Sequence, residues 1–107
     1  MGGEGQPQTQ AAVFTRYARF GQGLQQAVTA PRWLLGRTWG GETTSLKLES
    51  RFDPALIAAL KAAGHEVEVF SEPFSDTMGH AGALVRHPNG VIEGAADPRS
   101  DGVVAGV

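Results

Sequence analysis

The feature that most constrains the fold is a helix with clear signals at both ends, set between two alternating segments. Asp53 is a residue type that caps helix N-termini, Pro54 suits a first helical turn, and Gly64 can take the left-handed conformation in which helices end. Residues 45–50 before this helix and 65–70 after it alternate apolar and polar side chains, the pattern of half-buried strands. The middle of the chain is therefore predicted to form a strand–helix–strand unit.

The first third of the chain is predicted to begin with an amphipathic helix over residues 9–20. Val13, Tyr17, Phe20 and Leu24 follow one another at helical spacing and place an apolar stripe on one side. The stripe is broad enough to need a partner surface, because monomers rarely expose large apolar patches.

A second helix is predicted over residues 24–30, and it must end before Pro31, since proline disfavours helical geometry in the residue that precedes it. Residues 31–44 contain both tryptophans, Trp33 and Trp39, among several glycines. This segment is predicted to be an irregular connection along the surface, anchored by the two tryptophans.

The last third is predicted to form a hairpin. Residues 81–87 and 91–96 have the composition of strands, and the Pro-Asn-Gly sequence at 88–90 between them suits a tight turn, because Asn and Gly tolerate positive φ. The predicted order of elements is therefore helix, helix, strand, helix, strand and hairpin.

Composition excludes several classes of protein. Nine basic and eleven acidic residues give a net charge of −2. The chain therefore lacks the excess positive charge that attracts nucleic acid or an anionic membrane. The absence of cysteine excludes disulfides, thiolate nucleophiles and iron–sulfur clusters. The longest strongly apolar stretch, residues 55–60, is far shorter than the roughly 20 residues that span a bilayer. We expect neither a nucleic-acid nor a membrane partner, and the compartment stays open between cytoplasmic and periplasmic or secreted.

Other polar residues form no complete metal-binding or catalytic motif. His65, His80 and His87 lack the spacing of metal ligands, so we expect exposed histidines, no metal and no cofactor. Asp97 and Arg99 are predicted to form a local, exposed ion pair in a turn, which contributes little.

A glycine-rich segment precedes the first predicted helix. Backbone N–H groups at Gly2 and Gly3 could bind an anion or a developing oxyanion there, because glycine allows close approach of the backbone. The segment is neither a Walker loop nor a dinucleotide fingerprint, and a flexible terminus is the alternative interpretation. No nucleophile accompanies it, so the residues alone indicate at most one part of a catalytic site.

Five segments resemble the gamma-glutamyltransferases, also called gamma-glutamyltranspeptidases or glutathione hydrolases. They occur in the family's order over nearly the whole chain, at residues 2–8, 30–33, 46–49, 62–67 and 94–102. The resemblance is to the C-terminal part of the family's small subunit, so residues 1–107 are expected to be that segment, as a single domain or a fragment.

The resemblance implies a fold and a chemistry. The expected fold is α+β, a piece of the four-layer αββα sandwich of N-terminal-nucleophile hydrolases, with mainly antiparallel strands and about three helices. In that family the N-terminal threonine of the small subunit attacks a gamma-glutamyl amide such as glutathione and forms an acyl-enzyme. The paired glycines donate N–H groups to the oxyanion, a role that corresponds to Gly2 and Gly3.

The implied partners are the large subunit, the N-terminal part of the small subunit and a small-molecule gamma-glutamyl substrate. The earliest threonine here is Thr9, so this chain alone is expected to be inactive and to contain no catalytic residue. The Gly-Gly-x-Gly-Gln-Pro-Gln variant resembles a branch with acylase-like members, which leaves amides other than glutathione open. An alternative is a stand-alone α/β interaction module without catalysis, which binds a partner through the stripe of 9–20. Separately, self-association of the isolated chain is expected as a way to cover the apolar surface of that stripe.

Overall fold

The computed structural model describes residues 3–37 and 41–106. Within them, no helix is long and apolar enough to cross a membrane. The elements in chain order are α1 (Gln6–Ala18), α2 (Leu24–Thr29), β1 (Trp33–Leu35), β2 (Leu46–Leu48), α3 (Pro54–Ala62), β3 (Val67–Val69), a 3-10 turn (Asp76–Met78), β4 (Ala83–Arg86) and β5 (Ile92–Ala95).

The strands form two small sheets. The first has the order β1–β2–β3, in which β1 pairs antiparallel with β2 and β2 pairs parallel with β3. Helix α3 is the crossover that a parallel pair requires. The second sheet is the antiparallel hairpin of β4 and β5. The predicted α+β class, with three helices and mainly antiparallel pairing, is confirmed for the described residues.

Capping and turn residues in the sequence correctly predicted the ends of several elements. Asp53 caps α3, because its carboxylate accepts a hydrogen bond from the N–H of Ala55 at 2.8 Å. Gly64 follows α3 with a φ of 93°, and Gly90 closes the hairpin turn with a φ of 88°. These are the positions where a side chain would strain the backbone.

Two predicted regions differ from the structure. Residues 31–44 are not wholly irregular, because β1 lies within them with Leu34 buried; three residues are too few to show an alternating pattern. Trp39, one of the two predicted anchors, lies outside the described residues. The strand predicted at residues 45–50 was expected to be half-buried, but β2 within it is buried on both faces, and even Lys47 is buried. Its amine donates to the carbonyl of Gly36 and to the hydroxyl of Ser45.

The predicted first helix is shifted toward the N-terminus, so that α1 ends before Phe20, which is 74% exposed. The remaining stripe residues contact a small core between α1, α2 and the hairpin. Its buried members are Leu24, Val28 and Ala95, and Val13, Tyr17, Ala83 and Val85 pack against them.

Much of the apolar surface has no cover within the described residues. Helix α3 has no buried residue, although its sequence is mostly apolar. The hairpin also presents apolar side chains to the outside, and Leu84 is 73% exposed. We define the exposed large apolar side chains of α1, α3 and the hairpin as the outer apolar surface: Phe14, Leu56, Leu84 and Ile92.

Candidate functional site

The described part of the glycine-rich segment is a turn that leads into α1. Gly3 is exposed and has a φ of 90°, and its carbonyl accepts a hydrogen bond from the N–H of Gln6 at 3.1 Å. Gly5 is the N-cap of α1 and is buried, and its carbonyl accepts from the N–H of Thr9. Open space surrounds the position where a side chain would begin at Gly3. Gly2, the other predicted oxyanion donor, lies outside the described residues.

Two contacts connect this turn to the three-stranded sheet. The side-chain amide of Gln8 accepts from the N–H of Leu35 at 2.8 Å and donates to the carbonyl of Leu35 at 3.0 Å. Glu4 also pairs with Arg37 at 3.0 Å, with both side chains about half exposed. Exposed ion pairs contribute little, so the Gln8 amide is the more specific of the two contacts.

A groove of about 450 Å³ runs between α1 and the hairpin, beginning near the first turn of α1. Gln6, Thr9 and His80 provide polar groups at one end, while Phe14 and Leu84 belong to its apolar part. The groove therefore reaches Gln6, whose N–H donates to the Gly3 carbonyl, and its lining includes two members of the outer apolar surface, Phe14 and Leu84.

A separate feature is a buried cluster of charges that we call the charged centre. Glu49 is fully buried, and Arg99 donates two hydrogen bonds from Nε and Nη2 to its two carboxylate oxygens. The N–H groups of Arg32 and Ser75 also donate to this carboxylate, at 2.9 and 3.1 Å. The members of the charged centre are Arg32, Glu49, Arg51, Asp97 and Arg99.

The second carboxylate of the charged centre connects the hairpin to the end of α2. Asp97 pairs with Arg32 at 2.6 Å and with Arg99 at 3.0 Å, and it accepts from the N–H of Ala81 at 2.6 Å. Arg32 and Arg99 also donate to the carbonyl of Val28 in α2. The charged centre therefore joins elements that are far apart in the sequence.

The hydrogen bonds shift the acid–base properties of these groups. Burial acts to raise the pKa of Glu49, but the hydrogen bonds from Arg99 and from the N–H of Arg32 outweigh it and leave the pKa below its ordinary value. Burial also acts to raise the pKa of Asp97, but the N–H groups of Ala81 and Arg99 and the charge of Arg32 lower it overall. For Arg99, burial acts to lower the pKa, but the hydrogen bond and charge of Glu49 raise it overall. Both carboxylates thus stay ionised at pH values where an ordinary carboxyl group begins to protonate.

The prediction of an exposed ion pair at Asp97 and Arg99 was wrong, since both residues are buried. The reason is that each also binds a distant partner, Arg32 or Glu49, and such contacts have no local signature. Sequence reasoning assigned no role to Arg32 or Glu49. The available signal was that all four residues fall in the segments 30–33, 46–49 and 94–102 that carry the family resemblance.

The histidines are dispersed. On the hairpin, Nε2 of His87 lies 2.9 Å from Oε2 of Glu93. Nε2 of His80 lies 3.4 Å from Oδ1 of Asp76, and His65 is exposed. Among residues 3–37 and 41–106, no three His, Asp or Glu side chains are grouped so that they could hold a metal ion.

Comparison with known proteins identifies the family of this arrangement. A family model described as gamma-glutamyltranspeptidase matches residues 1–107. The chain belongs to the gamma-glutamyltranspeptidase family. It is 65% identical over 106 residues to a Klebsiella pneumoniae protein named oxamate amidohydrolase proenzyme, covering 99% of this chain and 20% of the relative. It is 47% identical over 107 residues to the glutathione hydrolase-like YwrD proenzyme of Bacillus subtilis, covering 100% of this chain and 20% of the relative.

The chain thus spans about a fifth of the length of these curated relatives. Among solved structures, a cephalosporin acylase from Bacillus halodurans is similar over 98% of this chain and 18% of its own, with a TM-score of 0.83 and 33% identity. A gamma-glutamyltranspeptidase from Pseudomonas nitroreducens, complexed with L-DON, shares the fold over 94% of this chain and 49% of its own, with a TM-score of 0.71 and 23% identity. The predicted family and its N-terminal-nucleophile hydrolase fold are confirmed.

Proposed function

We propose that this chain is the C-terminal segment of the small subunit of a gamma-glutamyltranspeptidase-like amidohydrolase. The whole enzyme cleaves or transfers gamma-glutamyl groups of glutathione-type amides through an N-terminal threonine. The proposal is supported by the family match over the whole chain and by the five resembling segments. It is also consistent with relatives named proenzymes that are about five times as long.

Within that enzyme, this chain supplies the N–H groups of Gly2 and Gly3 to the oxyanion. The observation that carries this assignment is the conformation of Gly3, which is exposed at the start of α1 with a positive φ and open space around it. The partial positive charge of a helix N-terminus favours a developing negative charge nearby.

The reaction would proceed in two steps. The threonine hydroxyl oxygen attacks the amide carbonyl, a C–O bond forms, and the carbonyl oxygen becomes an oxyanion that receives hydrogen bonds from the glycine N–H groups. The α-amine of that threonine takes the hydroxyl proton and passes it to the leaving amine as the C–N bond breaks, and an acyl-enzyme ester remains. Water or an acceptor amine cleaves that ester. The threonine and the groups that bind the rest of the substrate come from other parts of the enzyme.

The outer apolar surface is the proposed contact with the remaining polypeptide, namely the large subunit and the N-terminal part of the small subunit. A helix without a single buried residue, such as α3, gains most of its stability only when such a partner covers it. The same contact gives the outer apolar surface a role in the proposed enzyme, whereas the alternative interaction module was expected to bind through the stripe of 9–20, whose members other than Phe20 contact the core.

The test of the oxyanion role is Gly3→Pro in the full-length precursor. Proline lacks the N–H group and cannot adopt the φ of Gly3, so we expect kcat to fall by roughly 10²–10³, the loss typical of one oxyanion donor. Gly21→Pro is the matched control, because Gly21 is also exposed with a positive φ and open space, but lies beyond the other end of α1. Unchanged turnover in Gly3→Pro, or an equal loss in both variants, would refute the assignment.

A second candidate substrate is oxamate, because the 65% identical relative is named an oxamate amidohydrolase. Both candidates use the same acyl-transfer chemistry but differ in the acyl group, gamma-glutamyl or oxalyl, and in the leaving amine, cysteinylglycine or ammonia. Ammonia release from oxamate and glutamate release from glutathione, each followed at several concentrations with the full-length enzyme, give two kcat/KM values. The larger value identifies the substrate class. If the enzyme hydrolyses neither amide, the proposed activity is contradicted.

A further inference from the structure

We infer that Gln8 is a positioning residue, which fixes the turn at Gly3 relative to the sheet by pairing its side-chain amide with the backbone of Leu35. The inference rests on the proposed oxyanion role of Gly3. Gln8 touches no substrate in this proposal. It acts through α1, whose first turn contains both the Gln8 side chain and the hydrogen bond from Gln6 to Gly3.

The geometry of the contact is that of one strand residue pairing with its neighbour. Strand β1 is at the edge of its sheet, and Leu35 lies opposite Leu46 of β2. On its other side, Leu35 both donates to and accepts from Gln8, at 2.8 and 3.0 Å. Because a primary amide has a donor and an acceptor side by side, it satisfies both backbone groups at once. This double contact also fixes which end of the amide carries the oxygen.

Other polar contacts of the turn and of the first turn of α1 are weaker, since the Thr9 hydroxyl donates to the carbonyl of Met78 over a long 3.5 Å. The Glu4–Arg37 pair is exposed at both ends, so solvent weakens it. Helix α1 has no side-chain cap at Gly5, so nothing from a capping residue orients its first turn. A donor that must lie about 3 Å from an oxyanion tolerates little displacement, and a misplacement of about 1 Å can reduce the rate by about 10²-fold.

Single variants of the full-length enzyme provide the first part of the test. Gln8→Ala removes both hydrogen bonds, and we expect kcat to fall by about 10- to 100-fold with a much smaller change in KM. Gln26→Ala is the matched control, because Gln26 is also a helical glutamine, is exposed in α2, and neither contacts Leu35 nor lines the groove; its kcat should equal that of the wild type. Equal kcat in Gln8→Ala and wild type, while Gly3→Pro is slow, would overturn the inference and leave the oxyanion proposal intact.

Gln8→Glu separates positioning from a general loss of stability. Near neutral pH its carboxylate still accepts from the N–H of Leu35 but faces the Leu35 carbonyl oxygen, so kcat should be low. As the pH falls toward about 4.5, close to the ordinary pKa of a glutamate, a substantial fraction of the carboxyl groups protonates and donates to that carbonyl, so kcat relative to the wild type should begin to recover. A ratio that does not change with pH would contradict the inference.

The double variant Gly3→Pro/Gln8→Ala completes the test. If Gln8 acts only through Gly3, the double variant should be no slower than Gly3→Pro by more than about 2-fold, because the donor that Gln8 positions is already lost. Multiplicative losses would show that Gln8 acts elsewhere and would overturn the inference. Wild-type turnover in Gly3→Pro would refute the oxyanion proposal, and the positioning role with it.

Discussion

The charged centre and the outer apolar surface reverse the usual distribution of side chains. Glu49, Asp97 and Arg99 are almost completely buried, whereas Leu84 and Ile92 on the hairpin are more than two-thirds exposed. In an independent domain the apolar side chains fill the core and charges stay outside. The reversal teaches that buried polar contacts hold the elements of this chain together, whereas part of its apolar surface has no cover within residues 3–37 and 41–106. The proposed function assigns that surface to contacts with the rest of the enzyme.

The two regions also differ in how much a single change should matter. Buried charges are stable only as a set, because removing one partner leaves another charge without compensation in a poorly solvated place. Exposed apolar side chains already face water, so replacing them changes the stability of this chain little. Experiments on the 107-residue chain can therefore test the contrast directly.

The largest effect is expected for Arg99→Met. Methionine retains much of the apolar volume but removes the two hydrogen bonds to Glu49 and the contact with Asp97. Two buried carboxylates then lose a main cationic partner, and we expect the free energy of unfolding to fall by about 3–5 kcal/mol. Urea denaturation followed by circular dichroism measures this loss.

Arg37→Met is the control for that measurement. Arg37 pairs with Glu4, but both side chains are about half exposed. Such pairs are worth at most about 1 kcal/mol, so this variant should unfold at nearly the wild-type urea concentration. Similar small losses in the two variants would mean that the charged centre does not hold the fold together.

The second-largest effect is expected at acid pH, where the free energy of unfolding of the chain should fall. The pKa values of Glu49 and Asp97 are lower in the folded chain than in the unfolded chain, where carboxylates titrate near pH 4. Their contribution to stability is thus fully present above about pH 4 and is lost as the pH falls through their lowered folded pKa values. Denaturation at a series of pH values should show the decline below about pH 4.

Glu49→Gln should weaken that acid dependence, because the variant has one fewer carboxylate to protonate. Glu72→Gln is the matched control. Hydrogen bonding by Ser71 also lowers the pKa of Glu72, but this side chain is fully exposed, so its replacement should leave the acid profile unchanged. A wild-type acid profile in Glu49→Gln would contradict the origin assigned to the pH dependence.

Local sequence signals predicted the parts of the fold that depend on neighbouring residues. The cap at Asp53 and the turn at Gly90 are examples, because each needs only residues one to four positions away. The charged centre joins Glu49 to Arg99, 50 positions apart in the sequence, and Arg32 to Asp97, 65 positions apart. Alternation and local spacing of side chains cannot reveal such distant contacts. In the candidate site, Gly3 was found from composition and resemblance, whereas the partner of Gln8 lies 27 positions away in a strand too short to predict.

The smallest effect on stability, but a visible one on assembly, is expected for Phe20→Ser combined with Leu84→Ser. Both side chains are nearly three-quarters exposed, so the free energy of unfolding should change by no more than about 0.5 kcal/mol per site. On its own, the wild-type chain should self-associate through exposed apolar side chains such as Leu84 and Phe20, and the double variant should associate less. Sedimentation velocity over a range of concentrations measures this difference. If the wild-type chain stays monomeric and binds no hydrophobic dye, its exposed apolar side chains do not form a binding surface. That result would contradict the role assigned here to the outer apolar surface.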